Sequence, residues 1–216
     1  MLRFNKLLLV AVFALALAAG AYFGWLLYRA QQSPEPLDIG GAYFPASSPL
    51  KPFTLVDHDG EPFGPERFKG QWDVIYFGYT FCPDACPMTL SYLAKAKQLI
   101  DAQGGDDQVN YWLVSVDPQR DTPERLKEYI RHFDPTFKAA TGEREQLDEV
   151  SGEMYVIYRI NEPEPGESYY LVDHSSSLVV ISPNAEVQAL LTAPQTPESI
   201  AADLAKIRAR YEADRG

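Results

Sequence analysis

Cysteine is scarce in this chain of 216 residues: Cys82 and Cys86 are the only two. A bridge between them closes so small a loop that it would constrain the unfolded chain little, which weakens the reading of a purely structural disulfide. Basic residues are outnumbered, 19 Lys and Arg against 30 Asp and Glu, for a formal net charge of −11. That balance argues against nucleic acid as a partner and leaves no basic patch for an anionic lipid surface. No internal repeat is present. One stretch, Leu7 to Tyr28, lacks charge altogether. At about 1.5 Å per residue it reaches about 33 Å, enough to cross the hydrocarbon core of a bilayer. Arg3 and Lys6 precede it, and Trp25 and Tyr28 suit its far interface. The positive-inside rule leaves residues 1–6 in the cytoplasm, 7–28 as a single-pass transmembrane anchor and everything after Arg29 outside. A cleaved signal peptide is the competing reading, since Ala16-Leu17-Ala18 resembles a cleavage site. The apolar run continues about ten residues beyond that point, longer than a signal needs, and favours the uncleaved anchor.

Residues 29–51 are rich in Pro, Gly, Ser and Ala without periodicity and read as a tether. Residues 52–213 read as one domain of ordinary size. Phe53 to Phe63 predicts a hairpin turning at Asp59-Gly60. Trp72 to Tyr79 is apolar, aromatic and β-branched without polar alternation, the pattern of a strand buried on both faces. Pro87 to Ile100 carries an apolar stripe at helical spacing, ending near Gly104-Gly105. Val109 to Val116 is a second buried strand. Thr122 and Pro123 predict a capped helix to about Phe133. Phe137 to Thr141 reads as a short strand, Glu143 to Met154 as a helix, and Tyr155 to Tyr170 as an inserted hairpin loop. Ser177 to Ser182 and Glu186 to Leu191 pair across Pro183-Asn184, and Thr196 caps a last amphipathic helix to Tyr211. This order describes an α/β fold, a mixed sheet with flanking helices. It matches a thioredoxin-like fold with an N-terminal hairpin and an inserted hairpin loop, preceded by one transmembrane helix.

Cys82-Pro83-Asp84-Ala85-Cys86 therefore falls on a strand-to-helix turn at the carboxyl end of a central strand, where ligands of open α/β sheets gather. Unpaired N–H groups and the helix dipole favour negative charge there, so the turn lowers thiol pKa. Pro83 and Pro87 stiffen it. If the segment is helical, positions i and i+4 share a face, which suits a disulfide or a shared metal ion equally.

There are three histidines. His58 lies between Asp57 and Asp59 in the predicted turn and reads as solvated. His132 falls near a helix end and suits the dipole there. His174 precedes the strand at Ser177, in a connection that a thioredoxin-like topology brings close to the cysteine turn. Position alone leaves it open as a structural histidine, a metal ligand or an acid/base. Thioredoxins carry a cis-proline in that connection, and no proline stands between Gly166 and Pro183 here. Two thiolates and one imidazole suit copper best, as Cu(I) or Cu(II); a closed zinc site wants a fourth ligand, and none stands nearby. Asp117 and Asp121 follow the neighbouring strand. They either orient His174 and shape the cysteine loop, or serve loop turn and helix cap.

The chain resembles the Sco/SenC family of membrane-anchored copper chaperones for cytochrome c oxidase assembly. The resemblance rests on Phe77-Gly78-Tyr79-Thr80 with Cys82-Pro83 and Cys86-Pro87, on Ser115-Val116-Asp117-Pro118 with Arg120-Asp121-Thr122, and on Asp173-His174-Ser175, in the family's order. It implies copper held by Cys82, Cys86 and His174, and a redox-active Cys82–Cys86 pair that forms a disulfide when oxidised. It implies oxidase subunit II as partner, to which the protein delivers copper or whose cysteines it reduces. Another periplasmic copper chaperone and a thiol reductant follow as further partners. The expected location is the bacterial inner membrane with the domain in the periplasm. A general periplasmic thiol–disulfide oxidoreductase is the alternative; three residues between the cysteines plus His174 favour the chaperone. A peroxiredoxin-like peroxidase finds no peroxide site.

Overall fold

The structure, a computed structural model, describes residues 2–31, 36–102, 104, 109–161 and 169–215. It divides into two compact units, residues 1–36 and 37–216. The first holds α1, Leu2–Gln31, whose Leu8–Tyr28 stretch is long and apolar enough to cross a membrane.

In the second unit β1 (Gly41–Tyr43), β2 (Leu55–Asp57) and β3 (Pro62–Phe63) precede a 3-10 turn at Pro65–Phe68. Then come β4 (Trp72–Gly78), α2 (Ala85–Ala102), β5 (Val109–Ser115), α3 (Pro123–Arg131), β6 (Lys138–Thr141) and α4 (Arg144–Glu153). The chain closes with β7 (Tyr158–Ile160), β8 (Val172–His174), β9 (Leu178–Ile181), β10 (Val187–Leu191) and α5 (Pro197–Arg215). Among the described residues eight strands form one sheet in the order β1-β10-β9-β4-β5-β6-β2-β3, while β7 and β8 pair with each other in a second, two-stranded sheet.

β4 sits mid-sheet, parallel to β5 and antiparallel to β9. All seven of its residues are buried, as a run without polar alternation demands. Burying a side chain such as Ile75 or Phe77 contributes roughly 1.5–3 kcal/mol. The buried rings of Phe53, Phe63 and Phe68 cluster beside Trp112 of the neighbouring strand β5, with Phe63 and Trp112 centroids 4.4 Å apart. Helices α2 and α5 pack together, and α3 packs on β6. The caps are as predicted: Thr122 Oγ1 accepts from the Arg125 N–H, and Thr196 Oγ1 accepts from the Ser199 N–H. The predicted hairpin turns at Gly60, whose φ of 85° favours glycine.

Three local expectations differ. Part of the expected tether is in the sheet: Gly41–Tyr43 pairs with β10, and Pro49 bridges to Glu186. That edge of β10 otherwise ends in unpaired backbone groups, and Asp203 and Asp214 of α5 bond the Gly40 N–H and the Tyr43 hydroxyl. His58 is not solvated, because its ring lies against β6 with Nδ1 3.2 Å from the Ala139 carbonyl oxygen. The inserted hairpin continues past Tyr170, so His174 ends a strand rather than lying in a plain connection. The tip expected at Asn161 to Gly166 lies largely outside the described residues.

Candidate metal centre

Cys82 lies in the turn after β4, half-buried, and Cys86 in the first turn of α2, fully buried. The start of α2 turns its free N–H groups toward the sulfurs, and the Cys86 N–H donates to Cys82 Sγ at 3.4 Å. His174 comes from β8. Its Nε2 lies 3.3 Å from Cys86 Sγ. One donor atom from each of the three residues lies within 4.8 Å of the others. His174 Nδ1 is 3.1 Å from the Ser175 carbonyl oxygen. A carbonyl only accepts, so this bond places the proton on Nδ1 and leaves the Nε2 lone pair facing the sulfurs.

The two thiols are unlike. A hydrogen bond from Cys86, then the N–H groups of Asp84 and Cys86, pull Cys82 down to about 4 against the opposing effect of burial. Cys86 is pushed up, because its proton is held by Cys82, and burial and the Cys82 charge act in the same direction. The pair therefore shares one proton, with the negative charge on the outer sulfur.

Gly78 makes room for the inner one. A Cβ at residue 78 would stand 2.9 Å from Cys86 Sγ. Tyr76 donates its hydroxyl to Cys86 Sγ at 3.7 Å. The rings of Tyr76 and Tyr79 meet His174 edge-on, with centroids 5.7 and 5.9 Å away.

Asp117 and Asp121 are fully buried. Asp121 accepts the Thr80 N–H and the Ser115 hydroxyl on one oxygen, at 2.9 and 2.6 Å, and the Thr80 hydroxyl on the other. It thereby pins the start of the cysteine turn. Burial pushes its carboxyl up, against these hydrogen bonds. Asp117 accepts the Tyr170 hydroxyl at 2.7 Å and pairs with Arg120 Nε at 2.5 Å. It thus holds the strand leading to His174. Neither carboxylate joins the cluster of donors, and among the described residues no further His, Cys, Asp or Glu does.

Sequence reasoning overlooked Tyr76, Tyr79, Arg120 and Tyr170. Tyr76 had a signal, for it stands two residues before Gly78 on a strand and so shares its face. Tyr79 and Arg120 stand inside the stretches that carry the family resemblance, yet nothing local told which carboxylate and rings Arg120 meets.

Two soft sulfurs and one imidazole nitrogen, with no fourth ligand among the described residues, form a donor set that can hold copper. The family model described as SCO1/SenC matches residues 44–209. An SCO2-like protein of Rickettsia conorii is 30% identical over 191 residues, 84% of this chain and 87% of the relative. The crystal structure of Arabidopsis thaliana ScoI with copper bound matches with a TM-score of 0.69 and 32% identity, over 76% of this chain and 100% of that one. Yeast Sco1 with copper bound matches with a TM-score of 0.68 and 28% identity, over 76% of this chain and 90% of that one.

Proposed function

The chain belongs to the SCO1/SenC family, and from that membership we propose that it is a membrane-anchored copper-binding protein of cytochrome c oxidase assembly. Residues 7–28 anchor it in the bacterial inner membrane, and the folded domain works in the periplasm. Cys82, Cys86 and His174 hold copper as cargo for the dinuclear copper site of oxidase subunit II. The observation that carries this reading is the convergence of the three donors within 4.8 Å, with the His174 tautomer set by Ser175. Cys82 offers a thiolate at neutral pH, so copper displaces chiefly the Cys86 proton when it binds. The half-buried Cys82 is the side from which a partner's thiolate reaches the cargo. A second periplasmic chaperone supplies the metal, and a thiol reductant keeps the pair open.

The inequality of the thiols also supports reduction of the target's cysteines. The Cys82 thiolate attacks one sulfur of a partner disulfide, and a partner thiolate leaves. Cys86 gives up its proton and attacks Cys82, which releases the second partner thiolate. Two electrons pass to the partner and a Cys82–Cys86 disulfide remains.

His174→Ala separates the two roles. In the reduced full chain in detergent, X-ray absorption should count two sulfurs and one nitrogen on copper, and the variant should lose the nitrogen. Cu(II), which prefers nitrogen, should weaken more than Cu(I), which two thiolates satisfy. Equal losses, or none, place His174 outside the site. Full oxidase assembly by the variant in copper-limited cells favours the reductase.

A further inference from the structure

His174 reaches the cysteines on a hairpin that, among the described residues, shares no backbone pairing with the main sheet. Cys82 and Cys86 stand instead on the turn after the central strand. Ser175, Ser176 and Ser177 lead from His174 into β9. The geometry of the donor set therefore depends on how the hairpin is seated. The Val172 N–H donates to the Tyr79 hydroxyl at 3.2 Å, and the Tyr170 hydroxyl donates to Asp117 at 2.7 Å. Arg120 spans the seam. On the hairpin side it donates from Nη1 to the Tyr170 carbonyl oxygen at 3.0 Å, and its guanidinium carbon lies 3.5 Å from the Tyr170 ring centroid. On the cysteine side the same carbon lies 4.7 Å from the ring of Phe81, the neighbour of Cys82.

This arrangement is not the cheapest way to stabilise a fold. Arg120 and Asp117 form a buried charge pair, whose desolvation offsets much of its attraction. Arg120 Nη2 is buried without a partner, a further cost. Such costs cluster where a site needs geometry more than stability. Building on the copper-binding reading above, we propose that Arg120 is a positioning residue that seats the His174 hairpin on the cysteine turn. Its planar fork engages Asp117 and the Tyr170 carbonyl together while its face lies against the rings of Phe81 and Tyr170, with Tyr79 at 5.7 Å; a lysine ammonium does not do both.

The test compares the reduced full chain in detergent micelles with Arg120→Met and Arg120→Lys. In the metal-free protein, NMR cross-peaks between the His174 ring and the rings of Tyr76 and Tyr79 report the seating directly. With Cu(II) added, the nitrogen hyperfine splitting reports the imidazole. Arg120→Met should lose the cross-peaks and the splitting, with Cu(II) affinity down about 10–100-fold and Cu(I) affinity nearly unchanged. Arg120→Lys, which keeps the charge, should fail to restore the cross-peaks. Thermal melting shows whether each variant is folded. If Arg120→Met does not fold, Tyr170→Phe, which removes the hydroxyl bond to Asp117 and keeps the ring, should weaken the same cross-peaks. Cross-peaks and splitting at wild-type strength in a folded Arg120 variant overturn the proposal, as do unchanged cross-peaks in Tyr170→Phe where it is needed. A wild-type chain that binds no copper refutes the copper reading instead, and the metal-free cross-peaks still decide the role of Arg120.

Discussion

Gly78→Ala probes the tightest point of the site. The added Cβ would stand 2.9 Å from Cys86 Sγ, 3.0 Å from Tyr76 Cε1 and 3.3 Å from Leu113 Cδ1. Ordinary contact begins near 3.4 Å, so the sulfur must retreat by about 0.5 Å. It has little room, since Cys86 is fully buried. Overpacking of this kind costs about 1–3 kcal/mol. For a domain of this size that lowers Tm by about 2–4 °C per kcal/mol. The displaced sulfur also leaves its position 3.3 Å from His174 Nε2, so copper affinity should fall by about 10–100-fold. A double-mutant cycle isolates the cause. Melting curves of the metal-free wild type, Gly78→Ala, Cys86→Ala and the double variant give the coupling between the two sites. Removing the sulfur relieves the shortest of the three contacts, so the coupling should be about 1 kcal/mol and favourable. Equal penalties for Gly78→Ala with and without the sulfur would show that Cys86 is not what residue 78 must avoid.

Further outcomes follow from the same geometry. Burial pushes the Asp73 carboxyl up from 3.8 to about 6, one of its oxygens bonding Trp112 Nε1 at 2.8 Å and the other having no partner. The folded state therefore holds this proton more tightly than the unfolded state does. Its stabilising effect is full below pH 4 and is lost as pH rises through 6, by as much as about 3 kcal/mol. The wild-type minus Asp73→Asn difference in denaturation free energy should show that slope between pH 4 and 6, and a flat difference refutes it. Asp121→Ala leaves the Thr80 N–H and the Thr80 and Ser115 hydroxyls without their acceptor. Stability should drop by about 3 kcal/mol or more in denaturant titrations, and a loss under 1 kcal/mol would mean that water or neighbours replace the carboxylate. Oxidising Cys82 and Cys86 to the disulfide should abolish copper binding, and reductant should restore it, since only thiolates bind the metal. Tight binding by the oxidised chain would contradict the two-sulfur site. A reporter fused after Gly216 should be active only outside the cytoplasm, with the protein in the membrane fraction; a soluble form starting near Ala19 would show a cleaved signal.

What the sequence by itself determined is local. The uncharged run of α1, the unbroken apolar run of β4, the caps at Thr122 and Thr196 and the turn at Gly60 each depend on neighbours a few residues apart, where periodicity and backbone preference act. The cysteine turn was legible for the same reason, because strand, turn and helix are contiguous. His174 was drawn in through the strand order expected of the fold. Only the tertiary structure decided the rest. Gly41–Tyr43 is too short and too exposed to show a pattern, and it is a strand because β10 offers an open edge. His58 is sheltered because β6 passes over it. The hydroxyl of Tyr76 finds the Cys86 sulfur, and Arg120 finds Asp117, Phe81 and Tyr170, only once register and packing bring distant segments together. An arginine or a tyrosine in a sequence carries its chemistry openly, but its partner is chosen by the sum of all the packing around it, and no local window contains that sum.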